Sequence, residues 1–167
     1  MDDIIHKTRT WVKEFVIKLN LCPFASVPLF KNKIRFFVSE ALNEEDLLVE
    51  IMMEIQLLEQ QSHETTLLIV PQMLADFDDY LEFFDLAEEL LQLQGQQEKY
   101  QLASFHPDYQ FAQSDFDDPA NATNRSPYPT LHILRCEDVT KAIDTYPDTL
   151  SIPEKNIALL RRLAEKK

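Results

Sequence analysis

The chain has 167 residues, 45% of them hydrophobic and 11 of them Phe, which suits a single globular domain over residues 1–167 with a core of its own. Its net charge of −13 is segregated: residues 1–36 hold seven Lys/Arg against three acids and residues 37–99 one against sixteen, a field that repels phosphate backbones and argues against nucleic-acid binding. Gly95 is the only glycine, which excludes a Walker loop, a dinucleotide fingerprint and a lipase-type nucleophile elbow, because each needs glycine where backbone turns sharply or meets phosphate.

In chain order, residues 3–20 place Ile4, Ile5, Thr8, Trp11, Val12, Phe15, Val16 and Leu19 at helical spacing, with Asp2 or Asp3 positioned to cap and Lys7, Lys13 and Lys18 on the solvent side. Asn20 stops that helix, and Pro23 opens a short helical turn with Cys22 at its N-cap. Residues 34–39 (IRFFVS) read as a strand, with Arg35, Phe37 and Ser39 on one face and Ile34, Phe36 and Val38 on the other. Asn43 caps a helix that turns Leu47, Leu48, Ile51, Met52, Ile55 and Leu58 inward and runs to about Gln61. Residues 65–70 (TTLLIV) form a buried strand closed by Pro71. Asp76 caps the next helix, whose inner stripe is Phe77, Tyr80, Leu81, Phe84, Ala87, Leu90 and Leu91 and whose C′ residue is Gly95. Residues 100–105 give a third strand and 130–135 a fourth. A short helix over 139–146 and a last one over 152–165, with Pro153 in its first turn, complete the chain.

Two helix-linked strand steps predict parallel, right-handed βαβ units, so the first three strands should be parallel and the fourth, reached without a helix, antiparallel. The expected fold is α/β, a small mixed four-stranded sheet flanked by helices; a ferredoxin-like α+β sandwich is the alternative. Neither cysteine, Cys22 or Cys136, has a partner pattern, no charged-then-apolar leader is visible, and no apolar run reaches about 18 residues. A reduced, cytoplasmic protein without a membrane span is therefore expected.

The segment 104–130 stands out. A loop beyond about 12–15 residues is uncommon inside a compact domain, and when ordered it is usually functional. In open α/β sheets ligands gather beyond the carboxyl ends of parallel strands, and this loop lies over that edge. His106, at a strand end, titrates near neutrality and has Asp108 beside it to orient it as a general acid or base. Cys22 is a possible nucleophile, set against the frequency with which free cysteine packs in cores. Arg35 and Arg125 offer rigid forks for an anion, and Asn121, Asn124, Ser126 and Tyr128 supply further polar groups around Arg125. His106, Asp108, His132, Asp115, Asp117 and Asp118 contain metal-ligand types, but their spacings match neither a zinc motif nor a calcium loop, so no metal site is assigned. The sequence names no cofactor.

The run Phe105-His106-Pro107-Asp108-Tyr109-Gln110-Phe111-Ala112, followed by Thr123-Asn124-Arg125-Ser126-Pro127-Tyr128-Pro129-Thr130-Leu131-His132, resembles the bacterial family designated domain of unknown function 1415. Leu21-Cys22-Pro23-Phe24-Ala25, Glu64-Thr65-Thr66-Leu67-Leu68 and Ile152-Pro153-Glu154-Lys155-Asn156-Ile157 are similar to it too. The resemblance spans the chain and implies no activity. Two readings follow from the residues. One is a small enzyme acting on a polar or anionic small molecule at a pocket formed by the 104–130 loop, with His106 and Asp108 as acid/base, Cys22 as nucleophile and Arg35 and Arg125 as anion receptors. The other is a non-catalytic module that binds a ligand or, through its acidic helices, a basic partner protein.

Overall fold

Four strands form one open sheet in the computed structural model of the chain, which describes residues 1–60, 63–146 and 148–166. They are β1 (Ile34–Val38), β2 (Thr65–Ile69), β3 (Tyr100–Phe105) and β4 (Thr130–Arg135), in the spatial order β1-β2-β4-β3. β1 and β2 pair in parallel, with Ile34 beside Thr65 and Val38 beside Ile69. The expected set of three parallel strands is not formed. β4 inserts between β2 and β3 and is antiparallel to both, so β1–β2 is the one parallel pair in the sheet. The reason is the 106–129 segment, which returns the chain from the end of β3 to the middle of the sheet rather than to its rim.

The helices are α1 (Asp2–Trp11), α2 (Ser26–Phe30), α3 (Glu44–Glu59), α4 (Phe77–Leu93), α5 (Cys136–Thr145) and α6 (Ile152–Ala164). α3 and α4 cover one face of the sheet. There Leu47, Ile51, Ile55 and Leu58 meet Tyr80, Phe83, Ala87 and Leu91 over Leu68, Leu102, Leu131 and Ile133. On the other face Val12, Trp11 and Ile17 pack with Leu29 over Ile34, Phe36 and Leu67. Residue alternation along the strands assigns each side chain to one of the two faces, and each face contributes its own cluster.

Capping follows sequence closely at α3 and α4. The Asn43 side chain accepts from the Asp46 N–H at 2.9 Å, Asp76 accepts from Asp78 and Asp79, and Gly95 sits beyond α4 with φ +66°. The expected end of α3 near Gln61 falls outside the described residues. The N-terminal half departs more. α1 has Met1 at its N-cap and no side-chain cap, and after Trp11 the chain continues as a π-helix over Val12–Ile17 rather than as one α-helix to residue 20. Cys22 caps no helix: α2 begins three residues beyond Pro23 with Ala25 at its N-cap.

Candidate functional site

The 106–129 segment is held by its own side chains. Asn121 lies within the short 3-10 helix Pro119–Thr123, is fully buried, and uses both ends of its amide. Its Oδ1 accepts from the Phe111 N–H at 3.0 Å and the Ser114 hydroxyl at 2.6 Å, while its Nδ2 donates to the Asp115 and Phe116 carbonyls at 2.8 and 3.1 Å. Two donors and two acceptor lone pairs are thereby all engaged. Arg125 donates from Nε to the Tyr109 carbonyl at 3.0 Å and from a terminal nitrogen to the Phe116 carbonyl at 2.7 Å, with its guanidinium 4.6 Å from the Phe116 ring centre. Asn124 donates to the Ser104 carbonyl at 3.1 Å, and its own carbonyl accepts from the His106 N–H. The Ser126 hydroxyl donates to the Tyr128 carbonyl at 2.6 Å.

His106 is fully buried, its ring 5.2 Å from Phe77 and 5.1 Å from Tyr80 between centres. The Asp108 backbone N–H donates to Nδ1 at 3.0 Å, so Nδ1 carries the lone pair and the proton sits on Nε2, which donates to the Leu74 carbonyl at 3.0 Å. Burial lowers the imidazole pKa, and the Leu74 carbonyl offsets part of that. The expected orientation by the Asp108 carboxylate is replaced by orientation through its backbone. A neutral ring with both nitrogens bonded inside the fold has no free atom for a substrate proton.

The remaining candidates are dispersed. Arg35 sits on β1, donates from Nε to Glu54 at 2.7 Å and lies over Phe37; Glu54 of α3 is 2% exposed and also accepts from the Thr66 hydroxyl. That guanidinium already serves a buried carboxylate of its own chain. Tyr128 reaches back to Lys7 of α1, whose ammonium is raised first by Asp3 and then by Tyr128. Burial pushes the Cys22 thiol up, against the Phe24 and Ala25 backbone N–H groups that pull it down. Two hollows, one lined by Glu59, Lys99, Tyr100 and Arg135 and the other by Asn20, Pro23, Tyr146 and Asn156, include none of the nominated residues. Among the described residues no three His, Cys, Asp or Glu side chains gather to hold a metal ion, and no helix is long and apolar enough to cross a membrane.

Two organising residues escape a reading of the sequence by motif. The Tyr80 hydroxyl donates to the Thr130 carbonyl at 2.9 Å and accepts from the Phe105 N–H at 3.1 Å, joining α4 to the ends of β3 and β4. Its signal was available: a tyrosine on the inward stripe of a helix must find partners for its hydroxyl. Arg135, at the end of β4, donates to the Leu58, His63 and Glu64 carbonyls and closes the C-terminal end of α3. Nothing in its local sequence marks that role.

Residues 3–167 match the family model described as "Protein of unknown function (DUF1415)". Comparison with curated proteins and with solved structures finds no match.

Proposed function

This chain belongs to the DUF1415 family of proteins of unknown function, and from that premise we propose that it is a non-catalytic protein-interaction module. In this reading the 104–130 segment is an internal lock, and the acidic outer face of α4 receives a basic segment of a partner protein. The observation that carries it is the internal use of the loop's polar groups. His106 and Asn121 spend their donors and acceptors inside the same fold, and Arg125 gives its Nε and one terminal nitrogen to backbone carbonyls. An active site needs such groups aimed at a reacting atom.

The partner's chemistry follows from α4. Asp78, Glu82, Asp85 and Glu89 recur at helical spacing on its solvent side, and the ion pairs among the described residues use none of them. Leu81, expected inside, is 38% exposed, and Leu86 is 36% exposed on the other flank of the stripe. An acidic stripe between two leucines complements an amphipathic helix carrying Lys or Arg at the same spacing.

The test is calorimetric titration with a synthetic helical peptide bearing lysines at i, i+4, i+7 and i+11 flanked by leucines. Binding at low salt that weakens steeply as salt rises, and that disappears in the D78N/E82Q/D85N/E89Q variant, is the expected result. Equal binding by the neutralised variant, or a turnover that His106→Ala abolishes without loss of stability, would overturn the reading.

A further inference from the structure

Beyond that surface, we infer that two copies of the chain pair through β1, edge to edge and antiparallel, into one continuous eight-stranded sheet. β1 is a sheet edge. The Lys33 carbonyl accepts from the Glu64 N–H at 2.8 Å and the Ser39 N–H donates to the Ile69 carbonyl at 2.8 Å. Odd-numbered residues of β1 therefore turn their backbone groups to β2, and Ile34, Phe36 and Val38 turn theirs outward. Those outward N–H and C=O groups have no hydrogen-bond partner among the described residues.

The opposite edge is treated differently. At the end of β3 the outward Ser104 carbonyl is taken by the Asn124 amide and the outward His106 N–H by the Asn124 carbonyl. β1 carries none of the usual protections of an edge: no proline, no bulge, and its one charge, Arg35, is drawn back to Glu54.

The occupant that fits is a second β1. An antiparallel pair centred on Phe36 sets Phe36 opposite its own copy and Ile34 opposite Val38, and every outward N–H then meets an outward C=O. The same register brings the Phe30 end of one copy to the Leu42 end of the other, and these side chains are 75% and 72% exposed. It sets the Lys33 position across from Ser39, whose hydroxyl is held by the Glu50 carboxylate at 2.5 Å.

α3 supplies an independent fit. Glu54 bonds to Arg35 on β1 and to Thr66 on β2, which puts α3 above those two strands. With a strand spacing of about 4.8 Å, the two copies of α3 come to lie about 10 Å apart across the seam, a helix-packing distance. Met53, exposed on α3, lies toward the flank from which Glu50 and Glu54 reach β1, and so toward the seam.

Sedimentation of the full chain, with amide exchange followed at Phe36, tests the pairing. The expected result is a particle of twice 19.6 kDa in which the Phe36 amide exchanges at least about tenfold more slowly than after dilution to monomer. Met53→Glu, at an exposed position, should give a folded monomer with fast exchange at Phe36. A wild-type monomer at high concentration, or a dimer whose Phe36 amide exchanges as fast as in the diluted chain, would overturn it.

Discussion

The Thr65 hydroxyl donates to the Ile133 carbonyl at 2.6 Å, which leaves only its lone pairs for the His132 imidazole 2.7 Å away. His132 must therefore keep its proton on Nε2, and burial pushes its pKa down to about 4 from 6.5. The sign of the pH effect follows. Below about 6.5 the unfolded chain takes up a proton that the folded ring refuses, so stability is full above that pH and is lost as pH falls toward 4, by on the order of 3 kcal/mol. His106 is lowered in the same direction and adds to the loss. The urea midpoint should drop across that window, and His132→Gln, which keeps a donor for Thr65 but cannot titrate, should flatten the slope. At this scale the sequence was informative about which residues are special and misleading about why. His106, Asn121 and Arg125 are indeed distinctive polar residues of the long loop. Their spacing looks the same whether they face a ligand or their own backbone, because only the folded path of the chain decides which carbonyls come within reach.

Asn121 organises the loop as an element. Its four hydrogen bonds span residues 111 to 116 and fix a turn that has no regular structure apart from one 3-10 helix. Asp118 accepts from the Ala120 N–H at that helix's start and also pairs with Arg161 of α6 at 2.6 Å, so the last helix is tied to the loop. Asp118 is held down to about 2, first by Arg161 and then by the Ala120 N–H. Asn121→Ala leaves the Phe111 N–H without a partner and removes one of two donors from each of the Asp115 and Phe116 carbonyls. A loss of about 2–4 kcal/mol in equilibrium unfolding is expected, with new proteolytic cleavage confined to residues 110–118. Elements with strong local signals were legible: the Asn43 and Asp76 caps, Gly95 at C′, and all four strands within a residue or so of their observed ends. The π-helical stretch after Trp11 was not, since its apolar spacing also fits an α-helix. Nor was the insertion of β4 beside β2, which depends on where the loop returns and not on the strand's own residues.

Across the whole molecule, charge and hydrogen bonding divide the labour. The basic residues of the N-terminal part lie mostly on α1 and the turns before β1, and the acids of residues 37–99 line α3 and α4 on the other face of the sheet. His106, Asn121 and Arg125 of the 104–130 segment turn polar groups inward, while Asp78, Glu82, Asp85 and Glu89 of α4 are exposed. Its internal hydrogen bonds make the 104–130 segment part of the rigid body of the fold. A hydrogen-exchange map of the intact chain tests it most directly. The amides of Phe111, Ala120 and Asn121, each bonded within the loop, should be protected on the same timescale as those of β4. Exchange of those amides within seconds, with β4 still protected, would mean a loop free to rearrange around a ligand and would contradict it.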